Sequence, residues 1–124
     1  MATVRDTFGG VTRFSDGKAE FLSFTETLGD GKTPIVLAAA GDLRSDVRYD
    51  LRDELMLCVA MKKDIVLDLE KLDRISNSCM SVLLEIQQSI DQLGCGSLTL
   101  TKVPKPVYKS LDSIGLTDLL MIEE

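Results

Sequence analysis

The spacing of apolar residues changes several times along the chain, and each change predicts an element. Lys18–Thr27 reads as a strand and Thr33–Ala40 as a second, more buried one. Between them, Gly29-Asp30-Gly31-Lys32 suits a hairpin turn, because Asp-Gly reaches positive φ at little steric cost. From Ser45 the spacing becomes three and four residues. Val47, Leu51, Leu55, Cys58 and Val59 fall on one face with Arg, Asp and Glu between them, which predicts an amphipathic helix ending near Lys63. Asp64–Leu69 is a strand with an apolar centre, Ile65-Val66-Leu67, expected to be buried on both faces. A helix follows from about Ser78 to Leu93, with Met80, Leu83, Leu84 and Ile90 inward and Gly94 at its C-cap. Ser97–Lys102 alternates as a strand. Pro106 opens a short helix with Val107, Leu111 and Ile114 inward, stopped by Gly115, and Leu119–Ile122 fits a last short strand.

Met1–Gly17 is Gly/Thr-rich without sustained periodicity and reads as a loosely held extension. The remainder, 18–124, alternates helices with strands. That order calls for right-handed crossovers and a largely parallel or mixed sheet, so the expectation is one α/β domain. Its core should contain Leu51, Leu55, Leu67, Leu83 and Leu111.

Composition narrows the function. A chain of 124 residues can bury one real core. It is 44% hydrophobic and 27% charged, the balance of a globular protein. The net charge of −6, with four phenylalanines, two tyrosines and no tryptophan, argues against a nucleic-acid surface. The longest apolar run, Ile35–Ala40, is too short to span a bilayer, and no signal peptide is evident, so a cytoplasmic location is expected. Histidine is absent, which removes the commonest general base and metal ligand. Cys58, Cys79 and Cys95 have no metal-ligand spacing and read as reduced thiols.

Three motifs invite chemistry. Gly31-Lys32-Thr33 resembles a phosphate loop, but that motif needs a glycine where Glu26 stands and a helix where Pro34-Ile35-Val36 opens a strand. Asp50 with Glu54 is a carboxylate pair expected on the wet face of a helix, where nothing raises a pKa. Asp68, in an otherwise apolar strand, either hydrogen-bonds the 74–78 loop or faces solvent. The third motif is Arg74–Ile86 (RISNSCMSVLLEI). A polar loop leaving a parallel strand and feeding a helix is where open α/β sheets place their sites. Unpaired N–H groups there welcome an anion, including a phosphoserine, while the plain alternative is that Asn77 or Ser78 caps the helix.

Several stretches resemble the STAS domain, the family of bacterial anti-sigma factor antagonists and of the cytoplasmic tails of sulfate transporters. Ala40-Gly41-Asp42-Leu43 is similar to a strand-ending Gly-Glu-Leu-Asp. Ile65–Leu84 resembles a Val-Leu-Asp-Leu strand, an Asp-Ser-Ser-Gly or Asp-Ser-x-Gly loop and an apolar helix. Pro106-Val107 through Gly115-Leu116 resembles the terminal helix. The resemblance spans roughly residues 33 to 124. It implies a STAS-like mixed β-sheet with helices packed mainly on one side, no enzyme activity and no cofactor. It also implies binding of a protein partner, either a switch kinase (anti-sigma factor) that phosphorylates the residue after the signature Asp, or another STAS protein.

Laid on that signature, the Asp falls on Ser76, the phospho-acceptor on Asn77, the following serine on Ser78, the Gly on Cys79 and the next small position on Ser81. Asn77 has no hydroxyl to phosphorylate. The phosphorylation candidates are therefore Ser78 and Ser76, unless this chain is a non-phosphorylated scaffold that assembles with other STAS proteins. The expected contact surface is Gly41, Asp42, Arg44, Asp46, Ser76, Asn77, Ser78, Cys79 and Met80. Cys79 is either a small packing residue or a low-pKa thiol near a helix N-terminus. As a nucleophile it would have no histidine to activate it.

Overall fold

A hairpin opens the chain. Gly9 and Gly10, at φ 60° and 79°, turn β1 (Val4–Phe8) back onto β2 (Val11–Ser15), since positive φ at both central positions is what a two-residue hairpin demands. The computed structural model describes residues 3–17, 19–28 and 33–123, and the turn expected at 29–32 lies outside the described residues. β2 pairs antiparallel with β3 (Glu20–Thr27), and β3 with β4 (Ile35–Leu43).

Val4–Phe8 and Val11–Ser15 thus extend the sheet, within a segment the sequence pattern reads as a loose extension. Phe14 is 1% exposed and meets Phe24 edge-on, ring centroids 5.3 Å apart. The pattern hid this because every position of β1 is exposed and β2 buries only Thr12 and Phe14.

After β4, a single 3-10 turn (Ser45–Val47) leads into α1 (Arg48–Ala60), then β5 (Ile65–Asp68) and β6 (Leu72–Ile75). α2 (Asn77–Leu93), β7 (Leu98–Thr101), α3 (Lys105–Ser113), a second 3-10 turn (Leu116–Asp118) and β8 (Met121–Glu123) complete the described chain. The sheet runs β1-β2-β3-β4-β5-β7-β8, with β6 also paired to β4. The last connections are parallel, β4 to β5 to β7 to β8, and each steps the same way. Right-handed crossovers that all step one way put their helices on one face. Among the described residues the opposite face carries no helix, which is why Val66, expected to be fully buried, is only half-buried.

β4 serves two partners in succession. Its first half pairs with β5 and its end, Gly41–Leu43, with β6, the register shifting between Gly41 and Asp42. Gly41 sits at φ 109°, and a Cβ built there would lie 2.1 Å from the carbonyl oxygen of Phe21 on β3. Only glycine fits so close an approach. β6 has no signature in the sequence: its burial runs buried, exposed, exposed, buried, without the two-residue alternation of an ordinary strand. Leu51, Leu55, Leu67, Leu83 and Leu111 are all 0% exposed, as their spacing predicts. Ile114 differs, at 46% exposure, because α3 ends at Ser113 and Ile114 is the turn-out residue.

Candidate functional site

β4 and β6 end side by side, and the segments leaving the two strands form one surface. The Ser76 N–H donates to the Leu43 carbonyl (2.8 Å), which carries the β4–β6 pairing one residue past β6. Ser76 then leaves the strand at φ −75°, ψ 158°, and its Oγ accepts from the Cys79 N–H at 3.2 Å. The cap of α2 is therefore Ser76, not Asn77 or Ser78. This satisfies one of the orphan N–H groups of the first turn. Asn77 is exposed at the first helical position, and its carbonyl accepts from Ser81 Oγ (3.1 Å). Ser78 is half-buried beside it.

Two residues expected on the contact surface lie in the core. Cys79 is 0% and Met80 2% exposed, because the third and fourth positions of α2 turn toward the sheet. The Cys79 thiol donates to the Arg44 carbonyl (3.4 Å). Burial pushes its pKa up, with Ser76 and Arg48 opposing that shift. Of the two readings of this thiol, the packing residue is the one the geometry favours.

The β4–α1 side of the surface is organised by Arg44. Its Nε and Nη2 bind Asp46 at 3.1 and 2.7 Å, its Nη1 reaches Asp16 at 3.1 Å, and the guanidinium lies 3.9 Å over the Phe21 ring. Thr3 Oγ1 donates to the same Asp46 carboxylate at 2.7 Å. The Arg44 hydrogen bond is the main cause holding the Asp46 carboxyl below its usual range, and Arg44 itself is raised, chiefly by Asp46. A planar fork gripping a carboxylate through two bonds is a stiff arrangement. It ties the N-terminal hairpin to the rim of the site. Thr3, Asp16 and Phe21 are thus members of the site that sequence reasoning missed. The signal available was Gly9-Gly10, a hairpin dipeptide between two short apolar-containing runs.

Gly41 and Asp42 line the same strand end, Gly41 by backbone necessity and Asp42 opposite Arg74 of β6. Asp68 does not hydrogen-bond the 74–78 loop: its Oδ1 accepts from the Glu70 N–H at 3.0 Å and its Oδ2 stands 3.9 Å from Lys102 Nζ. Asp50 and Glu54 are also not the simple wet pair expected. Arg5 of β1 reaches both, at 3.6 and 3.9 Å. Burial, followed by the neighbouring Glu26, raises the Glu54 pKa. A cleft of about 460 Å³ lined by Lys102, Val103, Tyr108, Thr117, Leu120, Ile122 and Glu123 lies beside α3 and includes none of the residues 76–78. Among the described residues no group of His, Cys, Asp and Glu is placed to hold a metal, and no helix is long and apolar enough to cross a membrane.

The polar rim at a helix start, at the C-terminal ends of parallel strands, together with the sheet order, defines a class of domain. The family model described as "Mlab, STAS domain" matches residues 27–123, and the chain belongs to the STAS domain family. Its fold is similar to that of the anti-sigma factor antagonist SpoIIAA in its unphosphorylated form, with a TM-score of 0.66 at 15% identity over 82% of this chain and 88% of that one. A putative anti-sigma factor antagonist from Thermotoga maritima matches with a TM-score of 0.66 at 20% identity, covering 82% and 86% of the two chains. An anti-sigma factor antagonist from Mycobacterium paratuberculosis gives 0.63 at 13%, covering 80% and 84%. At these identities the likeness is one of fold. No curated protein sequence matches the chain.

Proposed function

We propose that this chain is a non-catalytic cytoplasmic signalling protein that docks a protein partner, a switch kinase or anti-sigma factor, in the manner of the antagonists whose fold it shares. The observation that carries the reading is the joining of two polar segments into one surface, with Ser76 bonded to Leu43 and Cys79 bonded to Arg44. The accessible contact residues are then Asp42, Arg44, Asp46, Ser76, Asn77 and Ser78, with Cys79 and Met80 supporting them from beneath. Absence of histidine and the raised pKa of the buried Cys79 thiol support a binding role over catalysis.

If a phosphoryl group regulates docking, Ser78 is the acceptor we favour over Ser76, whose Oγ already accepts the capping bond. Phosphate on Ser78 would add roughly −1.5 to −2 charges beside the partner. A second reading rests on Asn77: without a hydroxyl at the usual acceptor position, the chain would be a permanently unphosphorylated scaffold that assembles with other STAS proteins.

One experiment separates these readings. Wild type, Ser76→Ala, Ser78→Ala, Ser78→Asp and Asn77→Ser are titrated calorimetrically against the cognate kinase, and each is mapped for phosphate by mass spectrometry. Ser78→Asp should weaken binding at least tenfold, about 1.4 kcal/mol, relative to Ser78→Ala. Equal affinities would remove Ser78 from the docking surface. Labelling of Asn77→Ser alone would establish the scaffold reading.

A further inference from the structure

The strand path β1-β2-β3-β4-β5-β7-β8 ends in two unlike edges. β8 is three residues long and ends at Glu123, a short charged edge of the kind that resists further pairing. β1 is five residues long, exposed throughout, and carries neither proline nor lysine. Phe8 is 81% and Val4 55% exposed. The one cation of β1 does not guard it: Arg5 is drawn over α1 by Asp50 and Glu54, at 3.6 and 3.9 Å. Side chains alternate across a strand, so Val4, Asp6 and Phe8 share the opposite, helix-free face.

The free hydrogen-bonding groups of this edge follow from the turn. In a two-residue hairpin, Phe8 and Val11 form a hydrogen-bonded pair, so the N–H and C=O groups of Phe8, Asp6 and Val4 point at β2. Those of Arg5 and Thr7 point outward.

We propose that β1 pairs antiparallel with β1 of a second copy of this chain, about a two-fold axis through Asp6. In that register Arg5 and the partner's Thr7 exchange both backbone bonds, and symmetry repeats the pair. Val4 stands opposite the partner's Phe8, twice, on one face. Neighbouring registers fail by their side chains. An axis through Arg5 sets guanidinium on guanidinium and Val4 on a carboxylate, and an axis through Thr7 sets Phe8 on Asp6. The Asp6 register brings two carboxylates together, and Arg13, opposite each in register, is itself held by Glu20 at 3.1 Å. This like-charge contact is a cost that the apolar pairs and the backbone ladder outweigh. An isologous contact of this kind closes at a dimer. Cross-strand apolar pairs and a continued backbone ladder hold it together.

The test is sedimentation velocity of the full chain over a concentration series. The apparent mass should rise from 13.6 kDa toward twice that value. Phe8→Lys should weaken the association at least tenfold while leaving far-UV circular dichroism and the thermal midpoint unchanged, because Phe8 is 81% exposed. Asp6→Asn should tighten it by removing the like-charge contact. Hydrogen exchange at the Arg5 and Thr7 amides should slow as concentration rises. A chain that stays at 13.6 kDa up to about 1 mM would overturn the proposal, as would a dimer indifferent to Phe8→Lys. Since Phe8→Lys leaves residues 76–78 untouched, failure here and failure of the docking reading are separate results.

Discussion

Gly41→Ala probes the joint between the fold and its site. The backbone there sits at φ 109°, outside the range that L side chains adopt readily. Holding alanine at such a φ costs about 1–3 kcal/mol. The added methyl would also lie 2.1 Å from the Phe21 carbonyl oxygen and 3.2 Å from the Leu22 Cα. Both atoms are backbone in β3, where Leu22 stands opposite Gly41 in register, so no side chain can swing aside. Relief requires β3 to move off β4, which loses one or two ladder hydrogen bonds at about 1 kcal/mol each. The sum is about 2–5 kcal/mol, a large share of the 5–15 kcal/mol typical of a domain.

For a chain of this length each kcal/mol lowers the thermal midpoint by about 4 °C. The expected loss is therefore roughly 8–20 °C, read by circular dichroism or calorimetry. Gly115→Ala supplies the control: Gly115 has φ 78° but nothing within 4 Å of a built Cβ, so strain alone acts, costing about 1–2 kcal/mol. Equal losses for the two variants would refute the close approach of β3, and with it the account of why β4 changes partners at this residue.

Leu67, 0% exposed at the centre of β5, should lose about 2–5 kcal/mol on truncation to alanine; a midpoint unchanged in thermal denaturation would mean that the central strand is out of register. Glu54 has a folded pKa raised by burial and by Glu26, so its contribution is favourable below the ordinary carboxylate pKa and is lost as pH rises through the raised value. Glu54→Gln should therefore stabilise the protein at pH 7 relative to wild type, and the advantage should shrink as pH falls to about 4. A gain that is the same at both pH values would show that ionisation of Glu54 is not its source.

How far the sequence announced this structure depends on how one-sided each element's burial is. α1 and α2 press one face on the sheet, so Leu51, Leu55, Cys58 and Val59, then Met80, Leu83 and Ile90, recur at helical spacing and could be read directly, while Ile86 was missed and Leu84 is only half-buried. β5 showed itself by its apolar run. β1 could not, being exposed on both faces, and β6 could not, having only Leu72 and Ile75 to bury at a spacing that suits no strand. The candidate site was inferred from its position after β5 and from the family likeness, but the inner details of that loop were hidden. Which of three polar residues caps α2 depends on where β6 releases the chain. That point is set by the Ser76 bond to Leu43, a contact across 33 residues that no local pattern encodes. The burial of Cys79 follows from the same choice of cap, since it fixes which way the first turn faces, whereas that of Met80 was legible in the helical spacing.

That division of labour bears on Asn77. The bonds that shape the loop are the Ser76 N–H to Leu43, the Ser76 Oγ to the Cys79 N–H and the Cys79 thiol to Arg44. None of them uses the side chain at position 77, which is exposed. An amide or an alcohol there should serve the fold equally, so Asn77→Ser should change stability by no more than about 0.5 kcal/mol, the ordinary range for a surface substitution. The same change supplies the hydroxyl that the usual acceptor position lacks. On the docking reading proposed above, chemistry at this point of the loop is therefore separable from its architecture: a docking surface would persist while a phosphoryl switch is lost or regained through one residue. Thermal denaturation of Asn77→Ser checks the first half and labelling by a switch kinase the second. A midpoint lowered by more than about 2 °C would show that the amide helps to build the loop, and the separation would fail.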